Sequence, residues 1–535
     1  MRTWQKPSFR SLLQETSIFV TCVELVNSRG VIAEREGTRM LKLARELSQN
    51  PQIHALCITN NAGGNAMLSG DTLSTDLISR GQEVVIHLSC KDWNRNGLQS
   101  QAWKLASEGF NNVLALSGDY PISGYQGQAS AVFDIDSVGV LKMMSEMNAG
   151  LKISAGQKKK DRVLKQTSFF LGAVVNNHKQ YEREVMPQYF KLKKKIENGA
   201  SFIINQIGYD ARKQDELLKY MDWSGLHVSV LANVYVLSLT AARFFHANNI
   251  PGVTVTDDLL ALIEKQAGSS DKGKTFSLEF AAKQCAIAKG LGFRGVYLGG
   301  HLKSSDYERI LEIADQFGED DWKDFSKEIC FHQTDEFYFF EPDTSTQLSS
   351  TEINREYLHS KSLKALQVSK QNIPLSYKIN RVVHDKAFEK GTLGFGLGKK
   401  TSQAIERTNK GVQKILHGLE QTFKMAAFGC QDCGDCSLPD IAFLCPESQC
   451  AKNQRNGPCG GTYQGKCEVG EKECIWSLAY DRLKAYGQEE QMLNGPAIFK
   501  DGSLKGTSAW INTFLERDHH GDGKKHGDGK KQMES

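Results

Sequence analysis

The densest chemistry in this sequence is carried by cysteine. Eight of the 13 cysteines fall in one stretch, ordered Cys430-x2-Cys433-x2-Cys436-x8-Cys445-Pro446 and then Cys450, Cys459, Cys467 and Cys474. Three thiolates two residues apart can turn toward one centre, so the close triplet has a metal-binding spacing. A fourth cysteine followed by proline favours an iron–sulfur cluster over zinc. Structural zinc, which would fold a small module lacking a core of its own, is the alternative. Eight thiols supply two sets of four. Cys430, Cys433, Cys436 and Cys445 form the first in chain order, and Cys450, Cys459, Cys467 and Cys474 the second; an interleaved partition is compatible with the same spacing. The other five, Cys22, Cys57, Cys90, Cys285 and Cys330, are scattered.

A second group of polar residues sits at the ends of apolar runs. Glu24 ends the first run. The second leads into Thr59-Asn60-Asn61-Ala62-Gly63-Gly64, the third into His87-Leu88-Ser89-Cys90-Lys91-Asp92 and the fourth into Ser117-Gly118-Asp119-Tyr120-Pro121. A later run ends at Asn205-Gln206. Each has a structural reading: Asp119 as a helix cap, His87 as a satisfied core histidine, Gly63-Gly64 as a turn. Converging on one rim, they favour a site.

The elements that must position these groups alternate. Short β-branched runs recur at Ser17–Leu25, His54–Asn60, Glu83–Cys90, Asn111–Asp119, Phe169–Asn176, Ser201–Gln206, His227–Val236 and Arg294–Gly300. Between them, segments 34–50, 96–110, 136–148, 184–199, 212–225 and 275–291 have helical spacing, and 304–317 follows the last run. Strands apolar on both faces that alternate with helices imply a parallel sheet, and eight such units in this span predict a (β/α)8 TIM barrel. A doubly wound α/β sheet is the rival, weakened because no G-x-G-x-x-G follows the first strand. Chemistry then belongs at the C-terminal strand ends.

The whole chain has 535 residues, enough for two or three domains. Its 66 basic and 62 acidic residues leave a net charge of +4, which argues against a dedicated nucleic-acid binder. No apolar run reaches the ~18–20 residues that span a bilayer. The stretch Met1–Pro7 lacks the pattern of a secretory signal, so a cytoplasmic chain with reduced thiols is expected, and a disulfide framework is not. The domain reading is a barrel over 15–320, a helical connecting region over 345–425, a cysteine-rich module over 426–490 and a disordered tail over 516–535. In the connecting region, 352–368 and 402–425 are predicted helices. The second carries a stripe of Ile405, Val412, Ile415, Leu416, Leu419 and Phe423, read as packing. Gly391–Lys400 is read as a flexible linker without P-loop spacing. His519, His520 and His526 in the tail are read as solvated rather than as metal ligands.

At the strand ends the chain resembles the methylenetetrahydrofolate reductase family of flavin-dependent barrels. The resemblance covers roughly residues 15–320 and rests on ordered stretches: Thr59–Gly64, His87–Cys90, Leu116–Pro121, Gly172–Asn176, Leu192–Ala200 and Asn205-Gln206. It implies reduction of 5,10-methylenetetrahydrofolate to 5-methyltetrahydrofolate, with FAD or FMN as cofactor. It further implies that Glu24 protonates the folate nitrogen, that Asp119 lies between flavin and pterin, and that Gln206 contacts the folate. Thr59, His87 and Lys195 match positions that hold the flavin, and Asn176 sits where the fifth strand meets it. Family members usually follow the strand-one glutamate with prolines. Here Leu25-Val26-Asn27-Ser28-Arg29-Gly30 follows, so the loop is expected to lose rigidity.

A second resemblance, over roughly 420–490, is to the cysteine-rich C-terminal domain fused to or paired with some bacterial members of that family. It rests on Asn456-Gly457-Pro458-Cys459-Gly460-Gly461 and on Cys474–Lys484. Iron–sulfur centres would bring a ferredoxin-like electron donor or a redox partner subunit; zinc would leave NAD(P)H as donor. An oligomer or a complex with a redox partner is expected. Oxidation of methyl-folate in a demethylation pathway, and a non-catalytic electron-transfer or assembly subunit with a degenerate barrel, are the alternative functions.

Overall fold

The computed structural model describes residues 7–153 and 161–521. Eight parallel strands close into a barrel: β1 (Val20–Leu25), β2 (Ala55–Ile58), β3 (Glu83–Ser89), β4 (Asn112–Leu116), β5 (Phe170–Val175), β6 (Phe202–Asn205), β7 (Ser229–Tyr235) and β8 (Gly295–Gly299). β8 pairs with β1 in the register Val20 to Gly295, which closes the cylinder. Each strand lies inside the apolar run predicted for it. The architecture is therefore the (β/α)8 barrel, and the doubly wound alternative is excluded.

The helices are α1 (Phe9–Glu15), α2 (Arg35–Gln49), α3 (Gly70–Ser79), α4 (Arg95–Ser107), α5 (Ser137–Ala149), α6 (Glu182–Glu197), α7 (Ala211–Trp223), α8 (Leu239–His246), α9 (Asp257–Gln266), α10 (Lys274–Leu291) and α11 (Ser304–Gln316). Strand residues alternate between two environments, as the pleat requires. Val23, Leu25, Ile58, Val84 and Ile86 pack under the helices. Val20, Cys22, Ala55, Cys57, Val85, Leu114, Phe170, Phe202, Leu231 and Tyr297 fill the interior. α1 plugs the N-terminal end. The fully buried Phe9 ring meets Phe202 edge-on at 5.3 Å and Phe170 at 6.0 Å, and its N–H donates to Glu83 Oε2 at 2.8 Å.

Beyond the barrel come α12 (Trp322–Glu328), a hairpin of Phe340–Pro342 with Ser349–Ile353, α13 (Arg355–Ser360), α14 (Leu363–Asn372), α15 (Leu375–Val383), α16 (Leu393–Glu406), α17 (Lys410–Phe428), α18 (Pro446–Gln449), α19 (Ile475–Lys484) and α20 (Ala509–Phe514). Four expectations are corrected here. The helix predicted over 352–368 starts as a strand, and its helical part is split where the Ser362 hydroxyl accepts the Ala365 N–H and starts a new helix. The helix predicted over 402–425 is broken between α16 and α17, where the Asn409 side chain caps the Val412 N–H. The stripe along α17 is not covered by the described residues: Ile415, Leu419 and Phe423 are 66%, 64% and 58% exposed. The glycine-rich stretch 391–400, read as a linker, forms most of α16. A Cβ at Gly398 would lie 2.4 Å from the Phe514 ring, so the missing side chain lets α20 pack close and tertiary contact overrides poor helix propensity.

Residues 518–521 are also packed rather than solvated. Asp518 is fully buried and His519 and His520 bond to Asp435 and Asp440. His526 lies outside the described residues. Among the described residues, no helix is long and apolar enough to cross a membrane.

The cysteine-rich region sits on the barrel's C-terminal mouth. Its anchor is a buried ion pair, Lys191 Nζ to Asp136 Oδ2 at 3.6 Å, each side chain 1% exposed. Lys191 also donates to Gln454 Oε1 (2.8 Å) and Gly457 O (2.9 Å). Asp136 caps α5 through the Val138 and Gly139 N–H groups and accepts the Asn456 N–H at 3.0 Å. α19 lies along α6, with the Tyr480 hydroxyl and the Lys484 ammonium both on Glu182.

Phe9→Ala should cost about 3–5 kcal/mol, the range for truncating a buried phenylalanine, read as a lower denaturation midpoint at unchanged slope. Asp136→Ala strands a buried ammonium and should cost about 3–5 kcal/mol. It should also raise the susceptibility of the 430–490 region to limited proteolysis before the barrel is attacked.

Candidate functional site

Strand parity brings the candidates together. Position 24 shares an inward face with Val20 and Cys22, Thr59 with Ala55 and Cys57, and His87 with Val85. Asn176 shares one with Phe170, and Gln206 with Phe202 and Ile204. Each is the last inward residue of its strand or lies just past it, except His87, which Ser89 follows on the same face of β3, so they ring the mouth.

Glu24 is the centre of this ring. Burial pushes its carboxyl up, the hydroxyl of Tyr297 donates to Oε2 and opposes that shift, and the charge of Asp119 adds to it. The balance is a carboxyl that keeps its proton to higher pH than an ordinary glutamate. Asp119 is held by the Gly63 N–H, which donates to Oδ2 at 2.7 Å. The loop carrying that N–H needs glycine at its next position. Gly64 has φ +70°, and a Cβ there would lie 2.2 Å from the Tyr120 carbonyl oxygen.

The start of the loop after β1 is tied down by hydrogen bonds rather than by proline: the buried Asn27 donates to Thr59 O (3.2 Å) and Leu68 O (2.8 Å), and Leu68 N–H donates to Ser28 O.

His87 is buried and stacked 6.3 Å from the Tyr297 ring. Burial lowers it to about 4, so it is a neutral imidazole at pH 7, and its Nε2 finds no partner. Thr59 Oγ1 is also buried without a partner. Two orphaned polar atoms at inward positions of adjacent strands are what a polar ring system in the mouth would satisfy. Lys195 donates to Val174 O and is buried on α6; burial, then the neighbouring Lys191 charge, lowers it to about 7. An anion beside it would restore its charge. Asn176 has both amide hydrogens committed, to Gly252 O (2.8 Å) and Gly460 O (3.0 Å), and its carbonyl oxygen accepts the His178 N–H at 3.2 Å, which leaves one lone pair of that oxygen for a ligand. Gln206 accepts the Ile207 N–H at 3.0 Å.

The cysteines gather into two cavities. Cys430, Cys433, Cys436 and Cys445 line one, with Lys424, Glu447 and Arg455 around them. Cys450, Cys459, Cys467 and Cys474 line the other, with Lys452, Gln454, Glu468 and Trp476. Sulfur acceptors are already served by backbone donors: Gln454 N–H to Cys450 Sγ at 3.5 Å and Val469 N–H to Cys467 Sγ at 3.4 Å. Burial raises the Cys436 thiol to about 11 and Cys459 and Cys474 to about 12. A cation must therefore displace their protons, which the donor set suits.

The second cavity touches the mouth. Lys452 in its wall donates to Gly118 O at 2.7 Å, beside Asp119, and pairs with Glu468. Asn176 reaches Gly460 and Lys179 reaches Thr462 O on the same wall. Tyr297, Lys452, Lys191 and Asp136 were not among the residues singled out from sequence. Tyr297 carried a signal, an inward position on the last strand; the others owe their place to docking of the second region.

A family model described as "Methylenetetrahydrofolate reductase" matches residues 31–315, and one described as "Methylene-tetrahydrofolate reductase C terminal" matches residues 409–501. No curated protein matches the chain. Among solved structures, an uncharacterised protein from Clostridium thermocellum that binds two copies of 5-methyl-5,6,7,8-tetrahydrofolic acid is 11% identical. That alignment covers 57% of this chain and 96% of the other, at a TM-score of 0.40. An oxaloacetate acetylhydrolase is 10% identical over 55% of this chain and 80% of its own, at a TM-score of 0.32.

Tyr297→Phe removes the donor that favours ionised Glu24, so the carboxyl should titrate at still higher pH. An infrared pH titration of the protonated-carboxyl band, with Glu24→Gln as blank, reads this directly; an unchanged midpoint contradicts the hydrogen bond.

Proposed function

Since the chain belongs to the methylenetetrahydrofolate reductase family, we propose that it reduces 5,10-methylenetetrahydrofolate to 5-methyltetrahydrofolate with a flavin bound in the barrel mouth. The observation that carries this reading is the half-buried Glu24 in the barrel mouth, its carboxyl raised by desolvation and by the charge of Asp119. Opening the methylene bridge needs a proton on a folate nitrogen, and a carboxyl that holds its proton above the usual glutamate range supplies it. Glu24 gives that proton and regains one from solvent. The ring opens to an iminium cation on the folate, and the Asp119 carboxylate stabilises its charge. Gln206 orients the pterin. Thr59 and His87 would offer the unpaired Oγ1 and Nε2 to the flavin, Lys195 its ammonium, and Asn176 the second lone pair of a carbonyl oxygen that already accepts the His178 N–H. A flavin held by these residues would supply the hydride that turns the iminium carbon into the methyl group.

Iron–sulfur clusters in the two cysteine cavities would supply single electrons from a ferredoxin-like donor. The contact of the second cavity with Gly118, next to Asp119, supports that set as the inner one. Zinc in the same cavities would be structural and would leave NAD(P)H as donor.

The test is a visible spectrum with iron, zinc and sulfide analysis on anaerobically purified protein, followed by assay of Glu24→Gln. The expected result is a flavin spectrum, sulfide with iron, and a variant that keeps flavin and its reduction by donor. That variant should lose folate turnover by roughly 100-fold or more. Normal turnover in Glu24→Gln, or a colourless protein that flavin cannot reconstitute, overturns the reading; stoichiometric zinc without sulfide overturns the relay alone.

A further inference from the structure

Past α20 the chain turns back and lays Asp518, His519 and His520 against the loop that carries the first cysteine set. His519 is held by its backbone N–H on Asp435 Oδ1 at 3.1 Å, and its Nδ1 faces the same carboxylate. Its Nε2 points to Asp440 Oδ2 at 2.9 Å. His520 repeats the arrangement: Nε2 faces Asp440 Oδ1 at 2.9 Å, and Nδ1 lies 3.6 Å from Asp518 Oδ2. Asp518 is in turn fixed by the Thr513 hydroxyl at 2.6 Å. The His519 Nε2, His520 Nε2 and Asp440 groups form a set whose ligand atoms all lie within 4.8 Å of one another.

Two imidazoles, each with a carboxylate behind Nδ1, present Nε2 to one shared carboxylate. A carboxylate on Nδ1 fixes the tautomer that leaves the Nε2 lone pair outward, which is the usual outer support of a metal-bound histidine. The two rings lie with centroids 3.9 Å apart and turn both Nε2 atoms to the one Asp440 carboxylate, so a single divalent ion can take both lone pairs and the carboxylate together.

We propose that Asp440, His519 and His520 bind one divalent transition-metal ion, zinc by donor type, with a water completing the coordination. The site is separate from both cysteine cavities, since its donors are two nitrogens and an oxygen. Two of its three ligands, His519 and His520, lie beyond the C-terminal family match, which ends at residue 501, and Asp440 lies within it. Because Asp435 stands between Cys433 and Cys436 and Asp440 just beyond them, the ion pins residues 518–520 onto the first cysteine loop.

The test uses the full chain with its cysteine centres as purified. Calorimetric titration with zinc chloride should show one saturable equivalent, absent in His520→Ala, while iron, sulfide and cysteine-bound zinc are unchanged. Asp518→Asn should weaken binding roughly 10- to 100-fold, the usual cost of losing an outer carboxylate. Cobalt(II) added to the same protein should give ligand-field bands without new thiolate charge-transfer absorption. No saturable zinc uptake by the unaltered chain, equal uptake by His520→Ala, or thiolate charge transfer from the added cobalt would each overturn the proposal. These readouts do not depend on folate turnover.

Discussion

A buried ammonium beside a buried carboxylate, Lys191 with Asp136, is the contact on which the rest of this molecule depends. Removing two charges from water is costly, and the pair is sustained because every remaining valence is used. Asp136 accepts from the first turn of α5 and from Asn456; Lys191 donates to Gln454 and Gly457. The same few atoms set the α5 N-terminus, the position of α6 and the seat of the cysteine-rich region. Such a network is cooperative, so barrel and cysteine region are fixed relative to each other with little slack.

That seat determines what the second cysteine cavity can do. It is bounded by Lys452, which reaches the backbone beside Asp119, and by a loop that Asn176 and Lys179 grip from the barrel. A residue expected to serve a cofactor, Asn176, has spent one amide hydrogen on this docking and the other on Gly252 of the barrel. The polar mouth and the thiol cavity are thus two sides of one wall.

The acid at the centre owes its character to the barrel. A closed parallel sheet places alternate residues in an interior sealed below by α1, so a carboxyl at the last inward position of β1 loses most of its hydration. Tyr297 and Asp119 then act in opposite senses on the same group. A neutral His87 and the unpaired Thr59 hydroxyl follow from the same enclosure.

The sequence by itself determined the periodic features. All eight strands and the inward parity of Glu24, Thr59, His87, Asn176 and Gln206 were legible, because each depends on local spacing; the spacing of the eight cysteines left open which four share a cavity. What only the tertiary structure decided is long-range. The Gly398 backbone becomes helical because Phe514 packs on it, the 518–520 turn is ordered by Asp435 and Asp440, and the stripe along α17 stays uncovered by the described residues. Lys452, Lys191 and Tyr297 join the site from positions far along the chain. Local composition cannot encode these outcomes, since each rests on a partner brought close by folding, and the burial that makes an acid of Glu24 exists only once the cylinder has closed.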